Sequence, residues 1–284
     1  MSHGQVSQEE YANYQRQIEH QWQYSEEFKA EIEAIMSGEK GLSFSSLKAL
    51  LESPYSFYKY KTEKKSTKAM TDGIAFHMAC LQPDLFEKSY FVLDDEQKVK
   101  EIGGGNPRAT TIYKTWLAEQ MALNVGKPTL SKDDYNTFKM MANYLRYNSA
   151  TKDIMNSLKY TEKEFSFDYD GLLITGKIDG GNDEYIVDIK KVADASIQKV
   201  KWEVRDRLLD LQSAIYTMAE RKEKYYLIFI DTDLNVTVVK LCTETIAQGL
   251  AKFEGAINGF RSCAETVGGF FQSYEFYNGG YVEL

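Results

Sequence analysis

Two short segments carry residue types that could act on a phosphodiester bond. Gly176-Lys177-Ile178-Asp179 supplies one carboxylate, and Val187-Asp188-Ile189-Lys190 supplies a second carboxylate and a lysine. Two neighbouring carboxylates repel each other, and both stay ionised only when a cation joins them. Because Mg²⁺ prefers oxygen ligands, the pair predicts a magnesium site. The ammonium of Lys190 could orient or help deprotonate an attacking water and offset charge that develops on a phosphate.

The surrounding pattern predicts that these groups meet on neighbouring strands. Residues 165–179 are rich in aromatic and β-branched side chains, and Asp170-Gly171 interrupts them with a strong two-residue hairpin signal. The glycines of residues 180–183 predict a second turn, and residues 185–189 a third strand. Side chains alternate along a strand, so Asp179 would lie across from Asp188, roughly 5 Å away. The segment therefore predicts a three-stranded antiparallel meander.

The spacing of Asp188 and Lys190 is by itself a weak signal. The chain has 42 acidic residues, so an acid followed two positions later by a lysine arises by chance, and a solvated surface pair would look identical. Ile186, Val187 and Ile189 make this strand apolar, and charges on an apolar strand are more often functional. A simple salt bridge remains the alternative role of Lys190.

The two segments above and several further motifs, taken in their order along the chain, resemble the PD-(D/E)xK nuclease superfamily. Within it the chain is similar to the exonuclease VIII (RecE) type, which is related to the RecB nuclease domain and to lambda exonuclease. The resemblance runs from about residue 42 to residue 216. Besides the two segments above, the motifs are Leu42-Ser43-x-Ser45-Ser46-Leu47, Ser53-Pro54 with Phe57, Thr67-x-Ala69, Gly73-x-Ala75-x-His77, Leu81-x-Pro83-x-x-Phe86, Glu164 and Gln212-x-x-x-Tyr216.

The resemblance implies additional metal ligands. His77 corresponds to a metal-ligating histidine of RecB-like nucleases, and the backbone carbonyl of Ile189 would be a further ligand beside Asp179 and Asp188. Neutral imidazole can join carboxylates on Mg²⁺ or, more comfortably, on Mn²⁺. A lone histidine on an apolar helix is more often an ordinary core or surface residue. Glu164 could contact a second metal, or it could be an ordinary acidic residue at a strand edge.

Gln212 and Tyr216 complete the predicted site. They stand four residues apart on one face of a predicted helix. By the resemblance, this pair lies near the active site and positions either the DNA backbone or the lysine. The alternative is that Gln212 only borders the apolar stripe of the helix. We favour a functional role, so the predicted catalytic residues are Asp179, Asp188, Lys190, Glu164, Gln212 and Tyr216.

The order of predicted elements indicates an α/β (α+β) fold, in which helices flank a central mixed sheet. We predict an amino-terminal helical arm over residues 1–40 and a single nuclease domain over residues 41–284. Ser45 is predicted to cap a helix that runs to residue 51. Other helices are predicted over 9–36, 67–81, 110–124, 132–158, 207–220 and 243–261, with strands over 225–231 and 236–241.

Composition favours a protein of the cytoplasm. No apolar run approaches the roughly 18 residues of a membrane span, and residues 1–21 contain no signal-peptide core. Cys80, Cys242 and Cys263 are widely spaced and predict reduced, buried thiols. They are too few for the iron–sulfur branch of this superfamily, which needs four cysteine ligands.

The net charge of −8 is unfavourable for binding nucleic acid, since phosphate contacts need Lys and Arg. Basic residues nevertheless cluster in two runs, which predicts a basic groove in an acidic surface. Charge alone favours the alternative, that both runs are solvated faces. The first run is Lys59, Lys61, Lys64, Lys65 and Lys68, and the second is Lys190, Lys191, Lys199, Lys201, Arg205 and Arg207.

The resemblance predicts a Mg²⁺-dependent exodeoxyribonuclease that degrades linear double-stranded DNA from its ends. It implies 5′-to-3′ degradation, a homo-oligomeric ring around DNA, and 3′ single strands passed to a recombinase or single-strand annealing protein in phage or prophage recombination. Two alternatives remain open: a structure-specific endonuclease on the same fold, and an inactive module that binds DNA or a partner.

Overall fold

The computed structural model describes residues 24–63 and 66–271. In this part of the chain, twelve α-helices surround a five-stranded mixed sheet, and a small two-stranded sheet lies beside them. The predicted α/β class with a central mixed sheet is confirmed. Most of the predicted helix over 9–36 lies outside the described residues, as do Lys64 and Lys65.

The elements are numbered here in chain order. The helices are α1 (Glu26–Met36), α2 (Phe44–Glu52), α3 (Pro54–Thr62), α4 (Lys68–Leu81), α5 (Pro83–Ser89), α6 (Glu96–Ile102), α7 (Thr111–Leu123), α8 (Lys132–Tyr147), α9 (Lys152–Asn156), α10 (Ile197–Asp206), α11 (Leu209–Glu220) and α12 (Thr243–Glu265). The strands are β1 (Phe91–Leu93), β2 (Thr129–Ser131), β3 (Tyr160–Tyr169), β4 (Leu172–Gly181), β5 (Tyr185–Lys191), β6 (Lys224–Ile230) and β7 (Val236–Lys240). Short 3₁₀ turns occupy Pro107–Ala109 and Gly269–Phe271.

The large sheet has the strand order β3-β4-β5-β6-β7. The first three strands are antiparallel neighbours, which confirms the predicted meander. Strand β6 then lies parallel to β5, and β7 returns antiparallel to β6. Because two parallel neighbours need a long crossover, helices α10 and α11 stand between β5 and β6. That crossover brings α11 against the strand that carries Asp188.

The first predicted turn is confirmed, and the second begins two residues later than predicted. Tyr169 pairs with Leu172, so Asp170-Gly171 is a two-residue loop, and its φ values of 55° and 83° suit a primed hairpin turn. Gly180 and Gly181 lie within β4 and pair with β5, so the second turn falls at residues 182–184. The reason is packing: a β carbon at Gly181 would lie 2.4 Å from the hydroxyl of Tyr160.

Strand β5 is covered on both faces. Ile186 belongs to a core that includes α1, α2, α11 and α12, whereas Val187 and Ile189 belong to a second core with α4 and α8. All three side chains are fully buried. A strand that is buried on both faces usually has a continuous apolar sequence, so a charged residue such as Asp188 within it is unusual.

Several predicted helix bounds differ from those observed. The α2 cap is Ser43 rather than Ser45, because Ser43 and Ser46 form a reciprocal capping box. The helix predicted over 132–158 is two helices, α8 and α9, separated where the buried hydroxyl of Thr151 donates to the Leu145 carbonyl. Helix α11 begins after Leu208, which has a left-handed φ of 54°, and so starts two residues later than predicted.

Helix α1 is packed against the main core. Its Phe28 and Ile35 are buried, and the Phe28 ring makes edge contacts with Tyr58 of α3 and with Phe270. The ring of Tyr24 stacks on Phe271 at 4.5 Å between centroids. Both ends of the described chain therefore meet in one aromatic cluster.

The three cysteines are free thiols. Cys80 is buried, Cys263 is half-buried and Cys242 is exposed, so the prediction that all three are buried was wrong for Cys242. Within the described ranges, no helix has the length and apolar character needed to cross a membrane.

Candidate active site

Asp179 and Asp188 occupy facing positions, as predicted, where strands β4 and β5 separate. The two strands pair at Gly180–Val187 and Gly181–Ile186, and the carboxylate of Asp179 then accepts a hydrogen bond from the Ile189 N–H at 2.8 Å. The N–H and C=O of one strand residue point to the same side. The Ile189 carbonyl therefore also turns towards this opening, which we call the strand gap.

Asp188 is completely buried beside the strand gap. Its Oδ1 accepts hydrogen bonds from Lys190 Nζ at 2.9 Å and from Gln212 Nε2 at 3.0 Å. Lys190 Nζ also lies 2.8 Å from Oδ2, but Oδ2 has no partner in hydrogen-bonding geometry among the described residues. Burial raises the pKa of Asp188 to about 6, and the ammonium of Lys190 opposes this only in part.

His77 contacts the other carboxylate. Its Nδ1 lies 3.3 Å from Asp179 Oδ1, and helix α4 holds the imidazole there because Phe76 and Cys80 on the same helix are buried in the second core. Burial disfavours the imidazolium, but the carboxylate of Asp179 outweighs this and raises the pKa of His77. The pKa of Asp179 is lowered: burial alone would raise it, but His77 and Lys190 overcome that penalty.

Glu162 joins this cluster, whereas Glu164 was the residue predicted from the motifs. His77, Glu162 and Asp179 each offer a ligand atom, and these atoms lie within 4.8 Å of one another. The register of β3 against β4 places Glu162 opposite Asp179. These two residues are not paired as the flanking residues are, because Glu162 has a left-handed φ of 53°. Glu164 is exposed and lies opposite Lys177. Counting outward from the predicted Asp170-Gly171 turn would have identified Glu162 from sequence.

Gln212 and Tyr216 lie beneath Asp188. The amide nitrogen of Gln212 donates both to Asp188 and to the hydroxyl of Tyr216, at 3.0 and 3.1 Å. Burial raises the pKa of Tyr216 far above its usual range, so the phenol stays neutral. The oxygen of Gln212 and the hydroxyl of Tyr225 are buried without a hydrogen-bond partner among the described residues. Gln212 therefore contacts the carboxylate of Asp188 directly, and Tyr216 is linked to it through Gln212.

The ligand set around the strand gap fits a divalent cation. It combines the Asp179 and Glu162 carboxylates, an imidazole nitrogen and the inward carbonyl of Ile189. The buried Oδ2 of Asp188, which lies 2.8 Å from the Lys190 ammonium, is a further oxygen beside this set. Oxygen ligands with one imidazole suit Mg²⁺ or Mn²⁺.

Two cavities open on either side of His77. The larger, about 830 Å³, is the basic cavity, and the smaller, about 420 Å³, is the acidic cavity. Members of both basic runs of the sequence line the larger one. The charged residues of the basic cavity are Lys68, Asp72, His77, Lys190, Lys191 and Arg207, and those of the acidic cavity are His77, Glu162, Lys177 and Asp179.

The fold and the site together define a PD-(D/E)xK-type domain, as the sequence predicted. The chain belongs to the family described as a PDDEXK-like domain of unknown function (DUF3799), which matches residues 43–269. No curated protein is significantly similar to this chain.

The overall fold is shared with a solved structure. A crystal structure from Eubacterium rectale, provisionally described as an exonuclease, has a TM-score of 0.55 and 15% identity, and the match covers 84% of this chain and 85% of that one. A phage-related exonuclease from Haemophilus somnus has a TM-score of 0.30 and 14% identity over 57% of this chain and 89% of its own. An alkaline exonuclease from Laribacter hongkongensis has a TM-score of 0.28 and 12% identity, and the match covers 67% of this chain and 93% of that one.

Proposed function

We propose that this protein is a metal-dependent exodeoxyribonuclease that degrades linear double-stranded DNA from its ends. The observation that carries the proposal is that the buried ion pair of Asp188 and Lys190 adjoins the cluster of His77, Glu162 and Asp179 at the strand gap. Burial disfavours the ionised form of Asp188, and a cation beside it would favour that form. The adjoining basic cavity offers the positive charge that a DNA backbone needs.

The residues that would hold the cation are His77, Glu162, Asp179, Asp188 and Ile189, the last through its carbonyl. Mg²⁺ fits this set, and Mn²⁺ is the alternative that the imidazole favours. When bound, a divalent cation polarises the phosphoryl group and lowers the pKa of an attacking water.

Lys190 has the position for a direct catalytic role. Its side chain is 15% exposed, so the ammonium is held by Asp188 and still reaches the basic cavity. In this position it can orient the attacking water, take part in its deprotonation, and offset charge on the scissile phosphate. Gln212 keeps the carboxylate of Asp188 in one orientation, and Tyr216 anchors the amide of Gln212.

The finer parts of the proposal rest on the family resemblance. They are 5′-to-3′ polarity, a homo-oligomeric ring that encloses DNA, and delivery of the 3′ single strand to an annealing or recombinase protein during phage or prophage recombination. The exonuclease descriptions of the structural relatives agree with action at DNA ends.

The test is digestion of end-labelled linear duplex DNA beside a closed circle of the same sequence, in Mg²⁺ or EDTA. We expect loss of the linear DNA only, in Mg²⁺ only, with the label position giving the polarity. Lys190→Ala should abolish the activity, whereas Lys100→Ala, at an exposed lysine of α6, should not. Cutting of the circle would replace the proposal with an endonuclease, and no metal-dependent loss of either DNA would indicate a binding module.

A further inference from the structure

Helix α4 contains a glycine in its interior that no contact among the described residues requires. Gly73 stands five residues after the first residue of the helix and eight before its last. Glycine destabilises a helix interior relative to alanine. A β carbon built at Gly73 would meet no atom within 4 Å among the described residues, and its φ is not left-handed. Neither close packing nor backbone conformation explains the glycine.

The position of Gly73 is the informative feature. It lies one helical turn before His77 and on the same face of α4. Both residues line the basic cavity and the acidic cavity, so α4 is the ridge between the two. Met70 and Ile74, on either side of the glycine, are 55% and 60% exposed. The missing side chain therefore leaves a notch in the ridge, beside the imidazole of the candidate site.

We propose that the sugar–phosphate backbone of the substrate strand crosses α4 at the Gly73 notch, passing from the basic cavity to the acidic cavity. This inference rests on the proposed function. Lysine and arginine side chains on one side of the notch attract phosphates, and the ligand cluster lies on the other. A backbone without a side chain permits the closest approach of a ligand, which is a common reason for glycine at such a position.

A second helix glycine provides a matched control. Gly255 lies within α12, and a β carbon there would also meet nothing within 4 Å. It is exposed and lines neither cavity. The same substitution at the two glycines therefore makes the same change in helix propensity, and only one change falls on the proposed path of the DNA.

The experiment measures the binding of a fluorescein-labelled 20-base-pair duplex in Ca²⁺, with gels to verify that the duplex stays intact, and the melting temperature of each variant. Gly73→Ala should raise the melting temperature by about 2 °C. Gly73→Leu should weaken duplex binding by about tenfold or more, because the side chain fills the notch. Gly255→Leu should change binding less than about twofold. The Mn²⁺-induced rise in melting temperature should persist in Gly73→Leu, as expected for an intact His77 site.

Three results would overturn the inference in distinguishable ways. If Gly73→Leu binds and degrades duplex DNA like the wild type, the notch is not on the path, and the proposed function stands. If Gly73→Leu melts well below Gly255→Leu, the glycine serves folding instead. If the wild type neither binds nor degrades duplex DNA, the proposed function fails and the inference fails with it.

Discussion

The two sides of the candidate site differ in how the protein holds its carboxylates. On the α11 side, Asp188 is sealed from solvent, and Gln212 and Lys190 bind it. On the α4 side, Asp179 and His77 keep 12% and 25% of their side-chain surface exposed and border both the strand gap and a cavity. The α11 side thus fixes the geometry, and the α4 side is where a cation and a substrate can enter.

The same contrast appears in the charge state of the two aspartates. Burial raises the pKa of Asp188 to about 6, whereas His77 and Lys190 lower that of Asp179 despite its burial. Without a cation, the site therefore tolerates one negative charge and resists the second. A divalent cation removes that resistance, which is the physical reason to expect it there.

The largest expected effect is on cleavage. Asp179→Ala and Asp188→Ala should each lower the rate of linear duplex degradation in Mg²⁺ by about 10³-fold or more, since each removes a carboxylate at the strand gap. End-labelled DNA on denaturing gels measures the rate. Asp153→Ala, at an exposed acid of α9, is the control and should keep wild-type activity. Retention of activity by either site variant would refute the catalytic assignment.

The two aspartates should affect stability with opposite signs in EDTA at pH 8. The folded-state pKa of Asp188 is raised, so its ionisation destabilises the fold as pH rises from about 4 through 6. Asp188→Asn should therefore increase the free energy of unfolding, by on the order of 1–3 kcal/mol. Asp179 has a lowered pKa, and its ionised form stabilises the fold above the unfolded-state value. Asp179→Asn should therefore destabilise the protein.

Urea unfolding at pH 8 and pH 5 measures this difference. The advantage of Asp188→Asn should shrink at pH 5, where Asp188 of the wild type is protonated. Equal and same-signed changes for both variants would contradict the distinction between the two sides.

Metal affinity should depend on pH in the range set by Asp188. Binding needs the ionised carboxylate and the neutral imidazole, and the pKa values of Asp188 and His77 are both raised. The apparent affinity for Mn²⁺ should fall about tenfold per pH unit below pH 6 for each proton displaced. Calorimetry in two buffers of different ionisation enthalpy counts the protons released, and a pH-independent affinity would speak against this ligand set.

The two glutamates of β3, Glu162 and Glu164, should differ in how much they contribute to Mn²⁺ affinity. Glu162→Gln should weaken Mn²⁺ binding by about tenfold, because Glu162 lies in the ligand cluster. Glu164→Gln is the matched control on the same strand and should change the affinity less than about twofold. A larger loss of Mn²⁺ affinity in Glu164→Gln than in Glu162→Gln would support Glu164, the residue predicted from sequence.

The smallest effect is expected on the α11 side. Tyr216→Phe removes the hydroxyl that accepts from Gln212 and should cost about 1 kcal/mol of unfolding free energy. Cleavage should slow only a few-fold, because Gln212 still donates to Asp188. Chemical denaturation and the gel assay test both statements, and a loss of activity as large as that of Asp188→Ala would make Tyr216 a direct participant.

Local signals predicted the parts of the site that depend on one hairpin. Asp170-Gly171 fixes the pairing of β3 with β4, and the alternation of residues 185–191 brings Asp188 and Lys190 together. The same turn implied Glu162, but motif matching favoured Glu164. The glycines at 180 and 181 were predicted to belong to the second turn, because the Tyr160 side chain that packs over Gly181 comes from twenty-one residues earlier.

The contact between Gln212 and Asp188 could not be predicted from local pattern. It depends on how the crossover helix α11 packs, and α11 begins after a left-handed leucine, a conformation that few sequences signal. Likewise, Lys68 of the first basic run lines the same cavity as Lys190, Lys191 and Arg207 of the second because α4 packs against β4 and β5. Long-range packing, rather than propensity, decides both features.

An anomalous difference map from crystals soaked in Mn²⁺ would locate the cation directly. We predict a peak in the strand gap, within coordinating distance of carboxylate oxygens of Asp179 and Asp188 and of the Ile189 carbonyl, with His77 beside it. A well-ordered strand gap without a peak, or a peak bound only elsewhere on the protein, would contradict the claim that this gap is a metal-dependent nuclease centre.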